Sequence, residues 1–184
     1  MNRRTTVLPF VVAALLGAAA CTNSTPGSGT PTTAGSTQPG GPTSSGGSGL
    51  TSLQPCDLIS PDIASQNQLG TPTTDNAAGS RGCTWQNTTA NNGDGYVVGT
   101  DIRGSQGIKD VNTAGNTVTP DNIGNHPGRQ LQSTQATVCL IAIGVTNSSR
   151  VDITVTGGTD ANQACQLANQ FAKLVEPKLP AASG

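Results

Sequence analysis

Residues 137–175 read TVCLIAIGVTNSSRVDITVTGGTDANQACQLANQFAKLV, two strands and a helix in one continuous stretch. Residues 137–145 are apolar at nearly every position, as a strand is when both of its faces are covered in the middle of a sheet. Asn147, Ser148 and Ser149 supply a turn. Val151, Ile153 and Val155 then alternate with Asp152, Thr154 and Thr156, the period-two pattern of a strand with one buried and one wet face. Asp160 and Gln163 fit a capping box, and Ala164, Leu167, Ala168, Phe171, Leu174 and Val175 recur at helical spacing until Pro177 stops the run. Antiparallel neighbours joined by a short turn, followed by an amphipathic helix that must cover a sheet face, predict an α+β domain.

Working outward from that stretch, Ser60 can cap a helix over residues 61–69, with Pro61 at its first position and Leu69-Gly70 as its stop. Residues 83–88 and 96–103 are β-prone, and Asn91-Asn92-Gly93-Asp94 between them predicts a hairpin. Residues 105–113 suit a turn or two of helix. Residues 116–128 are dominated by turn formers and read as irregular, while residues 129–133 suit a further strand. The expected architecture is an antiparallel sheet of about five strands packed by N- and C-terminal helices. It occupies one domain, residues 50–180, with a short tail at 181–184.

Four cysteines fall in this region, Cys56, Cys83, Cys139 and Cys165, and an even number in an exported domain allows three disulfide connectivities. Cys139 shares a strand face with Ile141, Ile143 and Val145, and Cys165 lies on the apolar side of the terminal helix near Ala168 and Ala172. A helix covering that face brings Cys139 to Cys165 and leaves Cys56 for Cys83. Each bridge would stabilise the domain by about 3 to 4 kcal/mol in the chain-entropy model. A metal site would need tighter ligand spacing. No Cys-x-x-Cys occurs and His126 is the only histidine, so no metal or other cofactor is expected.

The region before the domain has the three parts of a secretory leader, residues 1–20. Arg3 and Arg4 open it, an apolar run follows, and Ala18, Ala19 and Ala20 immediately precede Cys21. The run is shorter than the roughly 18 to 20 residues of a spanning helix, and Pro9 interrupts it. This resembles the bacterial lipobox, with Ala18 where that motif more often has leucine, and it marks Cys21 as the site of lipid attachment. Each buried methylene of the lipid contributes about 0.8 kcal/mol of anchoring. The competing reading is an ordinary secreted protein cleaved after an Ala-x-Ala site. Thr5 and Thr6 leave a twin-arginine export route undecided. Residues 22–49 are almost wholly Thr, Ser, Gly and Pro and carry no charge, so they cannot offset their ordering entropy and form a disordered tether with a reach of roughly 30 Å.

Pro55-Cys56-Asp57-Leu58-Ile59-Ser60-Pro61, Gly82-Cys83-Thr84-Trp85, Ile123-Gly124-Asn125-His126-Pro127, the strand at Val138-Cys139 and the helix at Ala164-Cys165 resemble the actinobacterial lipoprotein family called domain of unknown function 3558 (DUF3558). The resemblance covers residues 50–180, and the leader and tether agree with it. It implies an envelope lipoprotein and brings no catalytic residues with it.

Charge and composition remove some functions. Past the leader, Arg81, Arg103, Lys109, Arg129, Arg150, Lys173 and Lys178 stand against ten acidic residues and are scattered, and the aromatics are only Trp85, Tyr96 and Phe171. Neither a phosphate-binding patch nor a stacking platform can be built, so nucleic acid is no partner and a stacking-based carbohydrate site is not expected. His126 sits in a turn-like Asn-His-Pro-Gly and reads as structural rather than as a general base. Ser105 lacks the context of a nucleophile elbow. Asp94, Asp101 and Asp110 read as solvated turn residues, and Trp85 as packing on a disulfide. The sequence therefore predicts no catalytic residues and no enzyme. The leading expectation is a membrane-anchored, extracytoplasmic binding or accessory protein that engages an envelope protein partner through the exposed sheet face or residues 116–128. The alternative is a carrier of a lipid or other small apolar ligand, which needs a cavity of a few hundred Å³.

Overall fold

The structure, a computed structural model, describes residues 49–88 and 95–184. The expected leader, the lipidation site Cys21, the tether up to residue 48 and the turn at Asn91-Asn92-Gly93-Asp94 lie outside the described residues. The elements in chain order are α1 (Pro61–Gln66), β1 (Thr73–Asp75), β2 (Arg81–Gln86), β3 (Tyr96–Arg103), β4 (Asn116–Ile123), β5 (His126–Ser133), β6 (Val138–Thr146), β7 (Ser149–Gly157) and α2 (Ala161–Val175), with 3-10 turns at Pro55–Asp57, Ile108–Asp110 and Glu176–Lys178. The strands form one antiparallel sheet in the order β1-β2-β3-β7-β6-β5-β4.

Two parts of the expected architecture are overturned. The sheet has seven strands rather than about five, and one long helix covers it instead of helices from both ends. α1 has only six residues, none of them buried, and Gln68 at φ 54° turns the chain out of it before Leu69. A helix that short offers only Ile63 and Ala64, partly buried against the core, in place of a full apolar stripe. The two unexpected strands are β1 and β4, and both lie at sheet edges. β4 is exposed along almost its whole length, so it has no buried face to impose alternation on its sequence. Pro120 is accepted in it because an edge position demands no N–H on its outer side. Gly124, at φ 58°, makes the two-residue turn that pairs Ile123 with His126, and residues 116–128 thus form a hairpin rather than an irregular segment.

α2 lies on one sheet face, as its periodicity predicts. Asp160 caps it by accepting the Gln163 N–H at 2.9 Å, while the Gln163 side chain accepts from the Thr159 N–H. Ala164, Cys165, Ala168, Phe171, Ala172 and Val175 are buried against Ile141, Ile143, Val145, Val151, Ile153 and Val155, and Trp85, Val98 and Leu50 complete the same core. The opposite face of β7 is drier than its sequence pattern implies. Residues 107–111 fold back over the neighbouring β5 and β6, where Val111 packs with Leu131 and Ala142, and on β7 itself Arg150, which donates to the Gly107 carbonyl, and Asp152 are buried.

Candidate functional site

The cysteines pair as expected, Cys56 with Cys83 and Cys139 with Cys165, at Cα separations of 5.1 and 4.9 Å. Trp85 is buried in the core on the same face as Cys83. His126 opens β5 and is buried. Its Nδ1 meets Glu176 Oε1 at 2.8 Å and its Nε2 meets the Pro180 carbonyl at 2.8 Å, so both ring nitrogens are engaged in holding the C-terminal segment. Glu176 also accepts the Asn125 N–H at 3.0 Å, and that bond, followed by the one from His126, holds its carboxyl below the usual range. Asp101 accepts from Ser80 Oγ at 2.8 Å, and burial raises its pKa against the opposing effects of that bond and of Arg103. Asp110 accepts the Gly107 N–H at 2.7 Å and closes its own turn. Neither aspartate is among the bonding partners of His126, Ser105 lies exposed in a loop, and Asp94 lies outside the described residues.

On the second sheet face, Asp152 binds Arg103 Nε at 2.6 Å and Arg150 Nε at 2.8 Å, and Arg150 Nη1 donates to the Gly107 carbonyl. These charges satisfy one another and tie residues 104–107 to the sheet. Beyond them the face presents Thr84, Val97, Thr154 and Thr156.

A more distinctive surface lies where the sheet extends past the helix. Register places Gln130 and Gln132 of β5 on the α2 side of the sheet, opposite Ile141 and Cys139, with Thr119 and Thr117 of β4 next to them. α2 presents Asn162, Gln166, Asn169 and Lys173 along one edge, at offsets that return to the same side of a helix. Strand floor and helix wall enclose an open groove of about 850 Å³, and all its lining side chains but Cys165 and Lys173 are primary amides. Asn169 Nδ2 donates to Gln130 Oε1 at 2.7 Å and to the Cys165 carbonyl at 3.1 Å, and Gln132 Nε2 donates to Asn162 Oδ1 at 3.1 Å. Amides hold ligands by hydrogen bonds and neither titrate nor attack near neutral pH.

Other surface hollows are a groove of about 730 Å³ where Gly49, Thr146 and Pro180 meet, and a cleft of about 510 Å³ beside α1 lined by Cys56, Ile59, Leu69 and Trp85. Among the described residues no cluster of His, Cys, Asp or Glu could hold a metal ion, and no helix is long and apolar enough to cross a membrane. The amide groove is absent from the sequence expectations. Its one trace there is the substitution of Asn and Gln for the usual Glu and Lys on the wet side of α2, repeated at alternate positions in β5.

A family model described as "Protein of unknown function (DUF3558)" matches residues 16–178. No curated protein and no solved structure matches the chain.

Proposed function

The chain belongs to the DUF3558 family, and on that premise we propose that it is a lipoprotein anchored through Cys21 on the outer face of the cell membrane, where its domain binds another envelope component as an accessory protein and carries out no reaction of its own. The observation that carries this reading is the amide-lined groove between α2 and β5, a surface equipped to hold rather than to transform. The family match begins at Leu16, so Cys21 and the linker fall inside the same family span as the domain, in keeping with an anchor that belongs to the protein's design. The carrier alternative has one observation in its favour, the partly apolar cleft at Ile59, Leu69 and Trp85. That cleft is open to solvent and is also edged by Asp57, Ser65 and Thr71, a poor container for a lipid chain.

Two variants of the full chain test the proposal together. Cys21→Ser should move the protein out of the membrane fraction while leaving binding intact. Gln166→Trp, at an exposed position on the groove wall, should stay in the membrane fraction and lose retention of envelope extract. Retention unchanged by Gln166→Trp would overturn the groove's role, and a Cys21→Ser protein still pelleting with membranes would overturn the anchor.

A further inference from the structure

Resting on the groove reading above, we infer that the occupant is a neutral, hydroxyl-rich oligosaccharide, bound by hydrogen bonds and without aromatic stacking. The amide pairs specify what is left over for a ligand. Asn169 Nδ2 spends its hydrogens on Gln130 Oε1 and the Cys165 carbonyl, and turning that amide over would set its oxygen against a carbonyl oxygen. Its orientation is thereby fixed, leaving Asn169 Oδ1 to accept and the Gln130 NH₂ to donate. The Gln132–Asn162 pair likewise leaves a carbonyl oxygen to accept and a whole NH₂ group to donate, with the second hydrogen of the donating amide besides, whichever way it is turned. Gln130 and Gln132 are two residues apart on a strand, roughly 7 Å, so the two pairs offer two separate hydrogen-bonding points along the groove.

The charge and polarity of the lining decide between ligand classes. Lys173 is the groove's single formal charge, which gives a polyanion little to bind. A protein partner would look for buried apolar or aromatic anchor sites, and the lining supplies only the disulfide-bonded Cys165. A hydroxyl both donates and accepts, so a run of them satisfies alternating amide donors and acceptors in either direction along the groove.

The test is a titration of the ¹⁵N-labelled full-length chain, reading the side-chain NH₂ resonances of Gln130, Gln132, Asn162 and Asn169. The probes are neutral tetrasaccharides of gluco-, galacto-, manno- and N-acetylgluco-configuration, with an uncharged polar tetrapeptide for comparison. Saturable shifts of these resonances with at least one sugar and not with the peptide are expected. Gln130→Leu should weaken that binding by about three- to tenfold, the share of one or two neutral hydrogen bonds. Gln166→Trp, which leaves the pairs in place, should abolish it by obstruction. Shifts with the peptide alone would overturn the sugar assignment and leave the binding function standing. Silence with every probe would overturn the assignment and the groove reading under it.

Discussion

Asp152 is the residue on which the second sheet face depends. Its side chain is 2 % exposed and bridges Arg103 and Arg150, strands β3 and β7 at once. Removing one member of such a cluster leaves buried charge uncompensated, so Asp152→Asn should cost about 3 kcal/mol, read as a lower urea midpoint with an unchanged slope. Nothing in the alternation of Val151, Ile153 and Val155 reveals this, because Asp152 occupies the position a solvent-facing polar residue would take. Its carboxylate is enclosed by the side chains of Arg103 from the neighbouring strand and Arg150, a tertiary arrangement. Glu176 offers a pH test of the C-terminal clamp. Its folded pKa lies below its ordinary 4.5, so its contribution is present above about that pH and is lost as pH falls through the lower folded value. The stability gap between the native protein and Glu176→Gln, measured by denaturation at a series of pH values, should be widest near neutrality and close in acid. A gap that widened on acidification would contradict the clamp.

At the scale of elements, legibility follows burial. β6 and α2 were readable because each is packed along a face, and the face writes its period into residues such as Ile141, Ile143, Ala168 and Phe171. Cys139 and Cys165 lie on those same two faces, and their pairing could be read for the same reason. β4 has no such face. It pairs with β5 alone and reaches the core only through its last residue, Ile123, and Thr119, Pro120 and Asp121 look like turn material because a solvated edge admits them. Pro120 also has a protective role there, since it interrupts the outward row of N–H groups that would otherwise template another strand. Pro120→Thr should leave the fold intact and promote concentration-dependent self-association, visible by sedimentation velocity. A strictly monomeric variant would mean that the edge is guarded by other means.

For the whole molecule, the proposed anchor at Cys21 and the Thr/Ser/Gly/Pro-rich sequence after it precede a seven-stranded domain whose first described residue, Gly49, lies beside Pro180. The groove runs along α2 from Asn162, at the end of the sheet away from Gly49, toward Lys173. Composition carries the expectation of a leader and a linker, which lie outside the described residues. It was silent about the groove, because Gln and Asn are ordinary surface residues until a helix and a strand align them. The most direct measurement is photo-crosslinking in intact cells from a photoreactive residue placed at Gln166 in the full-length chain, against a control at Thr156 on the other sheet face. Groove-mediated binding predicts a discrete envelope adduct from position 166 that is missing from 156. Adducts of equal yield from both positions, or from 156 alone, would contradict it.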